Sequence, residues 1–245
     1  MKLKVVSYNI KSMRYDPQDR RGNKDRRADV AEVLWQLDGD IVGLQEIDYF
    51  LERTDNCDQT KYLAEKLGYP YYHFTYTVNK GKGLAGQYGH AILSRYPIRE
   101  LEDVEFSVQC GERRKYCRAV IDVSGKELVF YNTHLTLSNP GRRFDLPTNK
   151  IFGQYQMMEL LQRIYAEEVP TVLTGDFNLT FEKQQECVDV ERVYPLNGGK
   201  NFDVENPATR IDNIYLCNIE KHSDSVVYGE RGASDHAWIH ADIEI

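Results

Sequence analysis

Hydrophobic runs along the chain predict many short strands. Nine segments are rich in β-branched or aromatic residues and are bounded by turn-forming residues, a pattern typical of β-strands. They are Leu3–Tyr8, Ile41–Gln45, Tyr71–Val78, His90–Leu93, Arg118–Val123, Leu128–Asn132, Thr171–Thr174, Ile211–Leu216 and Trp238–Ile243. Because strands outnumber helices and their order is mixed, we predict stacked sheets with helices on the outside.

Three other segments show the spacing of an amphipathic helix, with apolar residues recurring every three or four positions. These segments are Asp25–Leu37, Thr60–Leu67 and Lys150–Tyr165. In the first segment Val30, Leu34 and Leu37 share one face, and Gly39 follows as a stop signal. Gly68 directly follows the second segment, where glycine commonly ends a helix.

Polar side chains stand at six ends of the predicted strands. They are Asn9, Glu46, His134, Asp176 with Asn178, Asp212, and Asp235 with His236. If a sheet gathers these ends at one rim, four carboxylates would lie together, and their mutual repulsion would favour a bound cation. Oxygen-rich ligation of this kind favours Mg²⁺ or Mn²⁺ over zinc.

Each of these residues also has an ordinary structural interpretation. Asn9 could form a strand-end turn, Glu46 could be a solvated carboxylate, and His134 could be a hydrogen-bonded core histidine. Asp212 could cap a turn, and Asp176–Asn178 could form an Asx turn. The functional interpretation gains weight because all of these positions fall on the same topological feature.

Seven short stretches together carry a family resemblance. They are Ser7–Ile10, Leu44–Glu46, Tyr88–Ile98, Asn132–Leu135, Gly175–Asn178, Arg210–Asp212 and Ser234–His236. In their residues and order, the chain resembles the endonuclease/exonuclease/phosphatase superfamily, whose members share the deoxyribonuclease I-like fold. The resemblance implies an α/β (α+β) four-layer sandwich, with two packed mixed β-sheets flanked by helices. It runs over nearly the whole chain, and we expect one catalytic domain spanning residues 1–245.

The resemblance also implies roles for the polar residues at the metal. Glu46 would be the main ligand, supported by Asn9 and Asp235, and Asp176 would orient and deprotonate the attacking water. A metal supplies Lewis acidity, and a carboxylate next to water supplies the nucleophile. The residues leave open whether one metal ion acts or two.

The remaining residues would bind the phosphate group or orient the side chains that bind it. By resemblance, Asn178 and His134 would hold the scissile group, while Asp212 would fix the tautomer of His236 and keep it protonated. Phosphoryl transfer needs positioning and charge neutralisation more than covalent chemistry, so these roles fit the residue types. Histidine at position 134 disfavours the abasic-site endonuclease branch, whose members tend to carry tyrosine there.

Arginines near these motifs are candidates for substrate binding. Relatives often carry an arginine in the helix after His134, three residues before a glutamine, but here Gly153 takes that place. Arg142 and Arg143 in the preceding loop could substitute, and Arg118 belongs to a second basic stretch. A solvated surface is an equally good explanation for most of these basic groups.

Composition narrows the class of protein and its partners. The formal net charge of −7 disfavours a nonspecific nucleic-acid binder, because phosphate neutralisation supplies most of that affinity. The first residues are too charged for a signal peptide, and no apolar run is long enough for a membrane span. Five cysteines without a Cys-x-x-Cys pair predict neither a disulfide framework nor a structural zinc site. We therefore expect a soluble cytoplasmic monomer.

Three functions remain, in decreasing order of support. The first is hydrolysis of a phosphodiester or phosphomonoester in a small or lipid-derived substrate, with Mg²⁺ or Mn²⁺ as cofactor. The second is an endonuclease or exonuclease, which makes nucleic acid an alternative partner and requires a basic groove. The third is a non-catalytic binding module, which the complete set of polar residues disfavours.

Overall fold

The computed structural model describes residues 1–18, 24–80, 86–137, 149–196, 201–202, 209–225 and 233–245. The strands are β1 (Lys2–Asn9), β2 (Ile41–Leu51), β3 (Cys57–Asp58), β4 (Tyr71–Asn79), β5 (Gln87–Ser94), β6 (Ile98–Glu105), β7 (Lys115–Val123), β8 (Lys126–His134), β9 (Thr171–Asp176), β10 (Tyr194–Pro195), β11 (Asp212–Cys217), β12 (Lys221–Ser225) and β13 (Ile239–Glu244). The α-helices are α1 (Arg27–Leu37), α2 (Gln59–Leu67), α3 (Asn149–Ile164) and α4 (Phe181–Gln185).

The strands form two mixed sheets. The first sheet has seven strands in the order β12-β13-β1-β2-β5-β4, with β3 paired to β2. The second has six strands in the order β10-β11-β9-β8-β7-β6. Each sheet contains one central parallel pair, β1 with β2 in the first and β8 with β9 in the second. The carboxyl ends of each parallel pair therefore lie at one rim of its sheet.

Three hydrophobic clusters define four layers. One cluster lies between the sheets, and alternate residues such as Val5 and Phe130 contribute to it. A second cluster packs α1 and α2 on the first sheet, and a third packs α3 on the second sheet. Because both faces of the central strands are buried, these strands read as nearly continuous apolar runs. The structure confirms the predicted four-layer sandwich.

A buried polar contact links the sheets below one rim. Asn132 on β8 donates to the Leu44 and Ala91 carbonyl oxygens at 3.1 and 2.9 Å, and accepts from Gln45 Nε2 at 2.7 Å. Gly43 faces this contact, and a Cβ added there would lie 2.8 Å from Asn132 Oδ1 and closer still to Thr174 Oγ1. Glycine suits this position because the buried Asn132 and Thr174 side chains occupy the space that a Cβ would need.

Several elements differ from the sequence expectation. The pattern did not predict β3, β6, β10, β12 or α4. Strand β6 was missed because it is an edge strand with charged, exposed residues, which is how sheets protect their edges. On α1, Val30, Leu34 and Leu37 are buried as predicted, whereas Trp35 is 67% exposed. Within the described residues, no helix is both long and apolar enough to cross a membrane.

Candidate active site

The rims of the two sheets meet at the polar residues predicted from the sequence. Asn9 ends β1, and Glu46 lies on the neighbouring β2. His134 and Asp176 end β8 and β9 and are register partners across that parallel pair. Asp212 begins β11 and is the register partner of Asp176 on its other side. We call the set Asn9, Glu46, His134, Asp176, Asn178, Asp212, Asp235 and His236 the rim cluster.

The sequence predicted that Glu46 ends a strand, and the structure shows that it does not. Strand β2 continues to Leu51, and Glu46 occupies a bulge at which the pairing register with β5 shifts between Gln45 and Ile47. Its φ of 57° is rare for a residue other than glycine. Bulges redirect side chains, and this one turns the Glu46 carboxylate towards Asn9 Nδ2 at 3.1 Å.

Asp176 lies at the centre of the rim cluster. Its Oδ2 accepts from Asn9 Nδ2 at 2.8 Å and lies 3.5 Å from His134 Nε2 and 3.8 Å from His236 Nε2. Its Oδ1 accepts from the Asn178 backbone N–H at 3.0 Å. Asn9 therefore bridges the two sheets, because the same amide nitrogen contacts Glu46 and Asp176.

Asn178 projects towards the site from a left-handed backbone conformation. Its φ is 51°, which asparagine tolerates better than most residues. The side-chain amide donates to the Leu135 carbonyl oxygen at 3.0 Å, so that bond fixes the orientation of the amide next to His134.

Asp212 and His236 form a buried pair. Asp212 Oδ2 lies 2.9 Å from His236 Nδ1, and both side chains are almost fully buried. Asn201 supports the pair: its side chain donates to the Asp212 carbonyl oxygen at 2.7 Å and its own carbonyl oxygen accepts from the Ala237 N–H. Ser234 Oγ donates to the Asn9 carbonyl oxygen at 2.7 Å, which ties this loop to β1.

The pair is electrostatically polarised. Burial on its own would lower the pKa of His236, but the carboxylates of Asp212, Asp176 and Asp235 outweigh it and raise that pKa to about 10. Burial also raises the pKa of Asp212, to about 7, against the attraction of His236. His236 is therefore a protonated donor at neutral pH, and its Nε2 faces Asp176.

His134 is neutral, in contrast to the protonated His236. Burial lowers its pKa well below the ordinary value, and the nearby charges of Arg114 and His236 lower it further. Its imidazole is therefore neutral, although its Nε2 is close to a carboxylate. Burial raises the pKa of Asp176, which makes that carboxylate a stronger base than an ordinary aspartate.

Three residues of the rim cluster form a candidate metal-binding group, and Asp235 lies beside it. Ligand atoms of Glu46, Asp176 and His236 lie within 4.8 Å of one another, and among the described atoms Asp235 Oδ1 is buried without a hydrogen-bond partner. The ammonium of Lys11 approaches from the solvent side, 3.2 Å from Asp235 Oδ2 and 3.9 Å from Glu46 Oε1. Positive charge is therefore already drawn to this position, which carboxylate oxygens dominate.

A profile of the Endonuclease/Exonuclease/phosphatase family matches residues 6–236. The chain belongs to this family. Its members are in general hydrolases that act on phosphoester bonds with divalent metals, and the oxygen-rich rim cluster suits that chemistry.

The chain is similar to a bacterial protein in sequence and to two solved structures in fold. An uncharacterised protein of Escherichia coli K12, YbhP, is 26% identical over 235 residues, covering 89% of this chain and 88% of YbhP. A family structure from Beutenbergia cavernae has a TM-score of 0.78 and 21% identity, covering 100% of this chain and 72% of the other. A mannosyl-6-phosphatase of Bacteroides thetaiotaomicron has a TM-score of 0.66 and 20% identity, covering 99% and 100%. These structures share the fold of this family member.

The arginines predicted to bind substrate have different outcomes. Arg142 and Arg143 lie outside the described residues. Arg118 does not join the rim cluster: its guanidinium forks onto Glu167 at 2.7 and 3.1 Å, on the face of the second sheet that packs against α3. Tyr131, its register partner, donates to the same carboxylate at 2.6 Å. Arg118 is a structural ion-pair residue in this family member.

Sequence reasoning missed three residues near the site. Lys11 sits on a turn where φ is positive at three successive residues, and a buried bond from Ser12 Oγ to Asp48 holds that turn. Asn201 lies far from the motifs along the chain. Arg114 belongs to the same basic stretch as Arg118, for which substrate contact and a solvated surface were equally good explanations; it is 3% exposed, and its Nε has no hydrogen-bond partner among the described atoms. Only the short spacing between Asn9 and Lys11 carried a usable signal.

Proposed function

We propose that this protein is a divalent-metal-dependent phosphoesterase that hydrolyses a phosphodiester or phosphomonoester of a small or lipid-derived substrate. The observation that carries the proposal is the convergence of three carboxylates and two histidines, from both sheets, around Asp176 and Asn9. Buried carboxylates at this density repel one another and require positive charge, and a hydrolase of this family gives that charge a use.

Mg²⁺ or Mn²⁺ is the proposed cofactor, with Glu46, Asn9 and Asp235 as the residues that would hold it. When bound, such an ion supplies Lewis acidity at a phosphoryl oxygen. Asn9 would contribute its Oδ1, because its Nδ2 is committed to Glu46 and Asp176. Lys11 adds a mobile positive charge at the solvent side of the same carboxylates.

Asp176 is the proposed general base. It has the position and the raised pKa to take a proton from an attacking water, while Asn9 and the Asn178 N–H orient its carboxylate. Burial also restricts the directions from which a water can reach the Asp176 carboxylate, so the attacking water would be held in a defined orientation. The reaction breaks the ester P–O bond as the water oxygen bonds to phosphorus.

His236, His134 and Asn178 are the proposed donors to the phosphate oxygens. His236 is charged and therefore stabilises the negative charge that develops in the transition state. Asp212 acts on the substrate only through His236, whose Nδ1 it holds, and is a positioning residue. His134 and Asn178 add neutral hydrogen-bond donors, and Arg114 adds positive potential behind them.

A small substrate is favoured over nucleic acid by how the basic residues are paired. Four described arginines form ion pairs: Arg26 with Asp29, Arg27 with Asp25 and Asp55, Arg113 with Glu105, and Arg118 with Glu167. A nucleic-acid groove needs several such charges available to the backbone phosphates. The fold of the mannosyl-6-phosphatase makes a sugar phosphate one member of the small class to test.

The proposal is tested by metal-dependent turnover of purified protein. Substrates would be bis-p-nitrophenyl phosphate, p-nitrophenyl phosphate, mannose 6-phosphate, a choline phospholipid and plasmid DNA, each with Mg²⁺, Mn²⁺ or excess chelator. We expect turnover of a small ester that chelator abolishes. Asp176→Asn should lower kcat by about 10³–10⁴-fold because it removes the base.

Asp189→Asn is the matched control, since Asp189 is exposed and its bond to the Glu191 N–H can be made by an asparagine. Turnover in the control should equal that of the wild type. Preferential cleavage of plasmid DNA, with strong salt dependence, would favour the nuclease alternative. Equal turnover in Asp176→Asn and the wild type would contradict the proposed mechanism.

A further inference from the structure

A second group of metal-ligating side chains lies between the sheets, at the edge formed by β4 and β6. His73 on β4, Asp103 on β6 and Cys117 on β7 place one ligand atom each within 4.8 Å of one another. Asp103 and Cys117 are register partners. None of the three belongs to the rim cluster, and the two sheets contribute to the group from opposite sides.

These side chains point into the space between the sheets. Cys117 belongs to the hydrophobic cluster that separates the sheets. His73 and Thr75 alternate with Phe74, which packs on the outer, helix-bearing side of the first sheet. Thr75 Oγ1 donates to Asp103 Oδ1 at 2.6 Å, and His73 Nε2 lies 3.0 and 3.1 Å from the two oxygens of the same carboxylate. The carboxylate is therefore fixed facing the imidazole.

His90 provides an independent observation beside this group. It is 0% exposed, and neither ring nitrogen has a hydrogen-bond partner among the described atoms. His90 is the cross-strand partner of Thr75, and its neighbour Ala91 packs on the outer side, so the His90 ring lies on the inner face with Thr75. Burial lowers its pKa to about 3, so the ring is neutral. A buried imidazole with two unmatched nitrogens is costly unless it binds something.

We propose that His73, Asp103 and Cys117 form a second metal site for a tetrahedral ion of the zinc class, and that the His90 ring, which lies outside this group of three on the same inner face, moves in as the fourth ligand. One sulfur, two imidazole nitrogens and one carboxylate oxygen are the donors that Zn²⁺ and Co²⁺ accept and that Mg²⁺ does not favour. The oxygen-rich rim cluster has the reverse preference. As the metal–sulfur bond forms, Cys117 releases its proton to solvent.

The site would join two strands that share no hydrogen-bonded ladder. Strand β4 ends the first sheet and β6 ends the second, so the edge of the sandwich is closed there only by side chains. An ion held by His73 from one sheet and by Asp103 and Cys117 from the other would cross-link the layers. The absence of a Cys-x-x-Cys pair does not argue against this site, because its ligands come from different strands.

Cobalt titration separates this site from the rim cluster. Protein in excess Mg²⁺ would be titrated with Co²⁺ while the thiolate-to-cobalt charge-transfer band and the visible bands of tetrahedral cobalt are recorded. We expect both bands to saturate at one equivalent and to disappear when Zn²⁺ is added. Oxygen ligands at the rim produce no thiolate band, so Glu46→Gln should retain the full signal even if the proposed phosphoesterase activity is absent.

Variants identify the ligands. Cys117→Ser should abolish the charge-transfer band, whereas Cys217→Ser, which removes a buried cysteine on the α3 side of the same sheet, should retain it. Asp103→Asn and His73→Ala alter partly exposed side chains, so they provide a test even if Cys117→Ser does not fold. Each should weaken Co²⁺ binding by roughly tenfold or more. A folded wild type without the band, or a band that survives Cys117→Ser, would overturn the proposal.

Discussion

Two groups of charges, one on the α3 side of the second sheet and one at the rim where the two sheets meet, differ in how they are balanced. At the far side of β8, Arg118, Glu167 and Tyr131 form a closed group in which each charge meets its partner. At the rim, the described residues place two cationic groups, His236 and Lys11, within 4.0 Å of the four carboxylates, and Asp212 Oδ1 and Asp235 Oδ1 have no hydrogen-bond partner among the described atoms. The first group is complete, whereas the second leaves negative charge unmatched.

The difference shows why an arginine near a motif is a weak sign of function. Arg118 was a candidate for phosphate binding because of its position in the sequence, yet its guanidinium is saturated by Glu167. Unmatched charge is the more informative property, since buried charges without partners are expensive to maintain. Variants in the two groups should therefore separate activity from stability.

Among the variants that separate the two groups of charges, the largest effect is expected for Glu46→Gln. We expect kcat/KM to fall by about 10³-fold, or about 4 kcal/mol of transition-state stabilisation, because the site loses a carboxylate that would hold the metal. The free energy of unfolding should not fall, since the change also relieves repulsion within the rim cluster. Steady-state kinetics and urea unfolding measure the two quantities.

Glu65→Gln on the exposed side of α2 is the matched control and should change neither quantity. A loss of stability in Glu46→Gln, together with full turnover, would mean that the rim cluster is structural.

A smaller loss of activity is expected for Asp212→Asn. Without the carboxylate that raises the pKa of His236, the imidazole should be neutral at pH 7 and less well oriented, so kcat should fall by about 10²-fold with KM little changed. NMR titration of His236 provides a second readout, and its pKa should move down. An unchanged His236 pKa would show that Asp212 does not control the histidine.

Gly43→Ala should affect both properties, because it lies between the sheets below the rim. The added Cβ would meet Asn132 Oδ1 and Thr174 Oγ1, and we expect a loss of about 1–3 kcal/mol in unfolding free energy from overpacking. Turnover should fall as well, since the sheets that carry Glu46 and Asp176 would be displaced from each other. Thermal unfolding and kcat measure the effect, and unaltered values for both would rule out the close approach.

The smallest effect is expected for Arg118→Ala, which should cost about 1–2 kcal/mol of stability and leave turnover unchanged. Burial alone would raise the pKa of Glu167, but bonds from Arg118 and Tyr131 outweigh it and hold that pKa below its ordinary value. A depressed pKa contributes stability that is present above the unfolded-state pKa and is lost as the pH falls through the folded-state pKa.

The difference between wild type and Arg118→Ala should accordingly be largest near neutral pH and should shrink below about pH 4. Arg99→Ala is the control, because Arg99 forms an exposed pair with Asp122 and should show little change at any pH. A constant difference across this range would indicate that packing of the Arg118 side chain, rather than its charge, stabilises the protein.

Most of the fold could be predicted from the sequence. All nine predicted strand runs overlap observed strands, because central strands buried on both faces carry long apolar runs. The short or polar edge strands β3, β6, β10 and β12 were missed, since an edge strand has one unpaired side and needs no apolar pattern. The order of the strands within each sheet could not be predicted either, because local sequence patterns do not encode it.

The rim cluster was predictable in its residues but not in its geometry. Sequence position indicated that Asn9 and Asp176 would meet at a rim, whereas the bulge at Glu46 depends on a register shift between β2 and β5. Asn201 acts through the three-dimensional path of its loop, so no spacing in the chain identified it, whereas Lys11 lies two positions after Asn9. Arg118 shows the converse, a residue whose partner, Glu167, lies 49 positions away.

The contact of Asn132 with Leu44, Gln45 and Ala91 has a consequence for how this protein can change. It fixes the offset between the two sheets through bonds in the interior, and no surface loop takes part in it. Loops around the rim can therefore be lengthened, shortened or exchanged with those of relatives while Glu46 and Asp176 keep their separation. We therefore expect that exchanging these loops alone can change which substrate is selected, while the residues between the sheets stay unaltered.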